Sequence, residues 1–342
     1  MNKQLVVVAI LVAAGAVAAG LLAGTSSGAP KAQRTIGLVL PDPNGGDPLS
    51  APVEQGANAA ASALGDSLVI IPADGPAGMT SAVNSLVAQH AAAIAVNTDQ
   101  GYGTVKQVLP ALAQARAAGI PTLSYEQQFP GSVWVPQSTP QQYAQALADA
   151  LASQMSKRGQ FVIVACRPAE TIVTAWLKAA KAYMGSHYPR MHRVGIVYGG
   201  TGNGAAGTLE LRPLLKKYPH LRGLILLCPS ESFTVPPQIV HAHKVGKLFS
   251  SGNGQDCPPL FSQLANNVRS GAEEVVCAGD PVNLGYLTVW AADHLAGGQA
   301  FTPGSYDVGG PVGSVTYQSL NEELPLGRPI TITQANLTQY TG

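Results

Sequence analysis

Along the chain, short apolar runs alternate with longer stretches in which apolar residues recur at helical spacing. TIGLVLP (35–41), SLVIIPA (67–73), AIAVNT (93–98) and IPTLSYE (120–126) are near-continuous and rich in Val, Ile and Leu. Such runs are predicted to be strands of a parallel sheet covered on both faces. Between them, PVEQGANAAASALG (52–65), MTSAVNSLVAQHA (79–91) and VKQVLPALAQARAAG (105–119) carry the helical pattern. The first of these closes on glycine, as helices prefer, and the last is interrupted by Pro110.

The same rhythm then restarts. A helix over 140–159 leads to QFVIVAC (160–166), a helix over 171–188 to HRVGIVYGG (192–200), and one over 208–219 to LRGLILLCP (221–229). A helix near PPQIVHAHK (236–244) precedes KLFSSG (247–252); another helix precedes EEVVCAG (273–279), and NLGYLTVWAADHLAGG (283–298) follows. Two consecutive series of this kind predict an α/β fold of two doubly wound parallel-sheet lobes, similar in pattern but not in sequence.

Composition narrows the function. Charged residues make up 11% of the 342 positions and the formal net charge is +1, which argues against nucleic acid as a partner. A hydrophobic share of 46% excludes a mostly disordered chain. The N-terminus pairs Lys3 with an uncharged apolar run over 5–24, the pattern of a secretory signal or of a single membrane anchor. Residues 1–33 are therefore set apart as signal or anchor plus linker, and an extracytoplasmic location is expected. The tail LLAGTSS has the look of a lipoprotein signal, but Thr25 stands where the lipidated cysteine would be. Four cysteines, Cys166, Cys228, Cys257 and Cys277, permit disulfides in an exported chain. Without a CxxC spacing, neither a zinc site nor a redox motif is indicated.

Four segments, in order, carry a family resemblance: DGPAGMTSAVNSLVAQHAAAIAVNTDQG (74–101), ARAAGIPTLSYEQQ (115–128), LKKYPHLRGLILLCPSE (215–231) and SGAEEVVCAGDPVNLGYLTVWAADHLAGG (270–298). Their order and spacing resemble the periplasmic sugar-binding proteins of ABC transporters, the ribose-binding-like class, and within it the autoinducer-2 and rhamnose branch. The resemblance covers about Arg34 to Tyr340. It implies two lobes, 34–130 with 283–308 and 131–282 with 309–342, joined by three crossing segments. The crossings would lie near Phe129 to Pro140, Asp280 to Asn283 and Val308 to Gly313, with TITQANLTQY (331–340) returning to the second lobe. If the usual 2-1-3 strand order holds, Cys166 and Cys228 end adjacent strands and a disulfide between them becomes possible.

In open α/β sheets ligands sit at the carboxyl ends of the strands, so polar residues there are the site candidates. They are Asp42, Asn97, Asp99 and Glu126 in the first lobe, and Arg167, Pro229, Glu231 and Asp280 in the second. Asn44, Thr98, Tyr125, Gln127, Ser230, Asn253 and Asp256 stand beside them. Carboxylates suit hydroxyl-rich ligands because each oxygen accepts a charge-assisted hydrogen bond. Polar residues after a strand are also ordinary turn formers. Glu126 and Asp280 stand out because they match acidic ligand positions of the family. Asp280 also reads as a helix N-cap with Pro281 at the first helical position. Tyr102, Tyr125, Trp134, Trp176 and Phe233 offer rings for stacking on a sugar face or for core packing. Departures from the family, including Asp42 between two prolines, TIVTAW at 171–176 and Glu126 in place of the usual aspartate, argue for an altered site.

The expected function is capture of a small, sugar-like ligand by a monomer that delivers it to an ABC permease, with no cofactor, no metal and no catalysis. Two alternatives stand beside it. A receptor that only senses its ligand would use the same lobes. A nucleotide-dependent oxidoreductase is suggested by GNGAAG (202–207), a GxGxxG after a strand. Against that, the motif follows the second strand of its lobe, and Cys228 stands where a ribose-binding acid is expected.

Overall fold

The computed structural model describes residues 32–41, 49–97, 101–166, 171–199, 209–255 and 261–340. The first lobe opens with β1 (Thr35–Leu40), α1 (Ser50–Leu64), β2 (Ser67–Pro72), α2 (Gly75–Ala88), β3 (Ala93–Val96), α3 (Gly101–Ala117), β4 (Thr122–Tyr125) and β5 (Val133–Val135). These strands form one parallel sheet in the order β2-β1-β3-β4-β5. Alternation along β1 sends Ile36, Leu38 and Leu40 into the core under α1, while Val39 joins the core under α2 and α3. Both faces are covered, which is why the strand reads as an unbroken apolar run.

The second lobe is built from α4 (Pro140–Gln154), β6 (Gly159–Ala165), α5 (Thr171–His187), β7 (Met191–Tyr198), α6 (Leu211–Lys217), β8 (Leu221–Leu226), α7 (Pro229–His241), β9 (Phe249–Gln255), α8 (Phe261–Ser270) and β10 (Glu274–Cys277). The chain then runs through α9 (Pro281–Ala296), the hairpin β11 (Gly304–Gly309) and β12 (Gly313–Tyr317), and β13 (Ile330–Ile332). The second sheet has the order β13-β10-β9-β8-β6-β7, parallel except for β13 on the edge. Phe161, Ile163 and Ala165 of β6 face one core, and Val162 and Val164 the other.

Helix α9 returns to the first lobe and crosses α1 at glycine contacts. A Cβ on Gly56 would lie 1.7 Å from the Val282 carbonyl oxygen, and one on Gly285 2.0 Å from that of Val53. No side chain fits there, so the two backbones touch directly. The entry to α4 is fixed by a capping box: Thr139 Oγ1 accepts from Gln142 N at 3.1 Å, and Gln142 Oε1 accepts from Thr139 N at 3.0 Å.

Three elements differ from the sequence reading. Helix α7 starts at Pro229 rather than near Pro236, and Pro236 and Pro237 lie inside it. Val235 and Ile239 are fully buried on its inner face, so tertiary packing holds the helix across the missing N–H groups. Strand β5 gave no sequence signal because it has only three residues; it keeps 133–135 in the first sheet, beyond residue 130. The third crossing is not at 308–313. That stretch is the turn of the β11–β12 hairpin, where Gly309, Gly310 and Gly313 have φ of 70°, 54° and 68°. Val315, Tyr317 and Leu324 still pack in the first core, and the chain crosses afterwards, over 325–329, before joining β13. The segment 331–340 does return to the second lobe, through β13 and a short 3₁₀ turn at Leu337–Gln339.

Candidate functional site

The carboxyl ends of the strands in both sheets define the candidate site. In the first lobe β3 ends at Asn97, which is 4% exposed; its N–H donates to the Val39 carbonyl at 3.1 Å, while Oδ1 is buried and has no partner among the described residues. A buried amide oxygen without a donor costs free energy unless something completes it. Beside it β4 ends at Tyr125, whose hydroxyl donates to Val39 O at 3.1 Å. The chain then turns at Glu126 with φ 59°, a left-handed conformation uncommon for residues other than glycine. The Trp134 indole N–H donates to the Glu126 carbonyl at 2.9 Å and steadies this turn. The half-buried Glu126 carboxylate accepts from Gln137 Nε2 at 2.8 Å.

In the second lobe β10 runs through Ala278 and Gly279 to Asp280, which is half-buried. Asp280 Oδ1 accepts from Val282 N at 2.9 Å, so the residue caps α9 with Pro281 in the first turn. The buried Gly279 next to it lies against Gln137. Glu126, Gln137, Gly279 and Asp280 are thus successive neighbours, and they join the two strand edges that the sequence singled out.

The other candidates are distributed differently. Pro229 opens α7 and is half-buried. Glu231 is fully buried two residues on, within the first turn, and its Oε2 accepts from Leu209 N at 3.1 Å and Thr234 Oγ1 at 3.3 Å. Its carboxylate therefore fastens the chain ahead of α6. Asn253 spends its amide on Leu227 O at 2.8 Å, and its oxygen lies against the Tyr143 hydroxyl, which donates to Val276 O at 2.9 Å. Asp42, Asn44, Thr98, Asp99, Arg167, Asp256 and the GNGAAG stretch lie outside the described residues.

Of the rings considered for stacking, Tyr125 and Trp134 are packed inside, while Trp176 and Phe233 are half-buried. Trp176 lies 4.8 Å from the Tyr143 ring, and Phe233 packs on the core around α8; the side chain of Tyr102 is outside the described set. A concavity of about 600 Å³ sits between α2 and α3, lined by Asp74, Pro76, Thr80, Asn84 and Gln107, and includes none of the candidates.

Cys166 and Cys228, at the ends of the adjacent strands β6 and β8, form a disulfide, as the 2-1-3 order allowed. Cys277, at the end of β10, is disulfide-bonded as well. The ends of β6 and β8 are therefore tied covalently.

Sequence reasoning missed Gln137. The available signal was polarity in a covered stretch: Gln137, Ser138 and Thr139 are all at most 7% exposed, between a strand and a capped helix.

Residues 36–300 match the family described as periplasmic binding protein domain. The chain belongs to that family. Solved structures of similar fold include a sugar ABC transporter protein from Actinomyces odontolyticus, 20% identical with a TM-score of 0.73 over 90% of this chain and 97% of that one. A solute-binding protein from Clostridium phytofermentas with bound L-rhamnose is 20% identical, TM-score 0.67, covering 90% and 98%. One from Actinobacillus succinogenes with bound D-allose is 16% identical, TM-score 0.66, covering 90% and 100%. At these identities the likeness establishes the fold: a periplasmic binding protein of the type I architecture, with paired α/β lobes. Membership places the chain outside the cytoplasm and among binding proteins, which favours that reading over the oxidoreductase. Among the described residues, no helix is long and apolar enough to cross a membrane.

Proposed function

We propose that this periplasmic binding protein captures a small polyhydroxylated ligand, a sugar, between its lobes and hands it to an ABC permease. The observation that carries this reading is the contiguous set Glu126, Gln137, Gly279 and Asp280 at the meeting of the two strand edges. Two carboxylates, an amide and the unpartnered Asn97 Oδ1 supply acceptors in a partly desolvated place, and each sugar hydroxyl needs one. With Tyr125 and Trp134 buried, hydrogen bonds to the acceptors named above are the main hold on the ligand. The relatives crystallised with L-rhamnose and D-allose make neutral monosaccharides the first probes.

The lobes we infer run over 34–135 with 281–324, and over 140–277 with 330–340, so the segments between them are the hinge. Closure about such a hinge buries the ligand against both edges. Asp42, Asp99 and Arg167 remain proposed contacts from the neighbouring strand ends, as does Pro229 at the start of α7; Glu231 acts one step back by holding the chain ahead of α6. Residues 5–24 direct export, the chain acts as a monomer, and no cofactor takes part.

The test is titration calorimetry of the mature chain, beginning near residue 32, with L-rhamnose, D-allose and D-arabinose. One of them should bind the wild type, and Glu126→Ala and Asp280→Ala should each weaken it by at least about ten-fold, the effect of losing one charge-assisted bond. Wild-type affinity in both variants would refute the site.

A further inference from the structure

One residue, through its backbone and its side chain together, meets all three crossing segments. Gln137 stands on the first and is 3% exposed. Its carbonyl accepts from Gly327 N on the third at 3.1 Å. On the second, a Cβ added to Gly279 would lie 3.0 Å from Gln137 Cβ, 3.2 Å from its Oε1 and 3.3 Å from Leu326 Cδ2. From this junction the carboxamide reaches back to the first lobe and donates to Glu126 Oε1 at 2.8 Å.

We propose that Gln137 is a positioning residue that fastens the Glu126 carboxylate to the hinge, so that ligand binding at Glu126 and movement of the crossing segments are coupled. This rests on the reading of the interlobe edges as the ligand site. The physical argument has three parts. A glutamate side chain left free must be ordered when a ligand binds, and that ordering costs affinity. The amide holds one carboxylate oxygen with a single bond, and a carboxylate has acceptor sites beyond one. The backbone beneath is held as well, by the Trp134 indole at 2.9 Å, so the Gln137 bond acts on the carboxylate of a turn already fixed. Gly279 has no side chain to compete for the space, and any shift of the second crossing presses directly on the amide. The carboxylate therefore moves with the hinge rather than with β4 alone.

Two measurements on the mature chain test this. Calorimetry compares the wild type with Q137A and Q137E for L-rhamnose, D-allose and D-arabinose, while a double-mutant cycle of E126A with Q137A reads stability in the sugar-free chain. The sugar that binds the wild type should bind Q137A about ten- to a hundred-fold more weakly. Q137E should bind weakly at pH 8, where two carboxylates face each other, and recover as the pH falls towards 5 and the introduced carboxyl takes up a proton it can donate. Loss of packing alone would not give that pH profile. The cycle should be non-additive, because the two side chains are bonded. Unchanged binding by Q137A, pH-independent binding by Q137E, or an additive cycle would each overturn the coupling. Failure of all three sugars to bind the wild type would instead count against the reading of the cleft, and the cycle would still report on the Glu126–Gln137 bond.

Discussion

At the scale of single residues, the site is a matter of which way each carboxylate is turned. The place of Glu126 and Asp280 after strands β4 and β10 was legible in the sequence, and the family resemblance singled them out among the polar residues there; that they contact a ligand is our proposal. Glu231 follows its strand a few residues later, inside the first turn of α7, and its carboxylate points into the lobe and accepts from Leu209 N at 3.1 Å. The pattern of apolar and polar positions carries no information on that choice, since it depends on a chain segment more than twenty residues away. A different pair of acids sets the response to pH. Burial raises the Glu274 carboxyl from the ordinary value of 4.5 to about 7, and pushes the neighbouring Glu273 well above the usual range despite the hydrogen bond from Asn267 to its Oε2. For Glu274 the folded chain holds a proton that the unfolded chain has lost between about pH 4.5 and 7, so its contribution to stability falls as the pH rises through that window. Glu274→Gln removes the effect. Its melting temperature should match the wild type near pH 4.5 and exceed it at pH 8; a constant offset across that range would contradict the assignment.

At the scale of elements, the strands and helices of both lobes were legible wherever the apolar positions ran near-continuously or at helical spacing. What escaped were the pieces whose form is set by partners: the three-residue β5, the β11–β12 hairpin and the proline-containing α7. The α1–α9 crossing shows how tight such partnerships are. Gly285→Ala places a methyl group on the Val53 carbonyl, and overpacking of this kind should cost about 1–3 kcal/mol or more, read as a lowered denaturant midpoint. Stability equal to that of the wild type would mean that the helices do not touch there. The Cys166–Cys228 bond between β6 and β8 closes a loop with a sequence separation of 62. In the chain-entropy description, replacing both cysteines by serine should cost about 4 kcal/mol in the same measurement. Two such cross-linked strand ends suit an oxidising compartment, in keeping with the apolar N-terminal run.

At the scale of the whole molecule, two lobes meet through three segments, and the proposed function requires their relative motion. The two-lobe plan was visible in the sequence because the α/β rhythm restarts; the third crossing was misplaced because a glycine-rich hairpin turn and an interlobe segment look alike in sequence. Only packing separates them: Val315, Tyr317 and Leu324 remain in the first core, and β13 then joins β10 in the second sheet. Gln137 sits where all three segments meet and connects the hinge to Glu126. The central claim is that a sugar binds between the lobes and closes them. Small-angle X-ray scattering of the mature chain tests it most directly, with and without the sugar that binds in calorimetry. The account expects the radius of gyration to fall on adding that sugar to the wild type and to stay unchanged in the Glu126→Ala, Asp280→Ala double variant. A wild-type chain that binds the sugar at full occupancy with no compaction would contradict it.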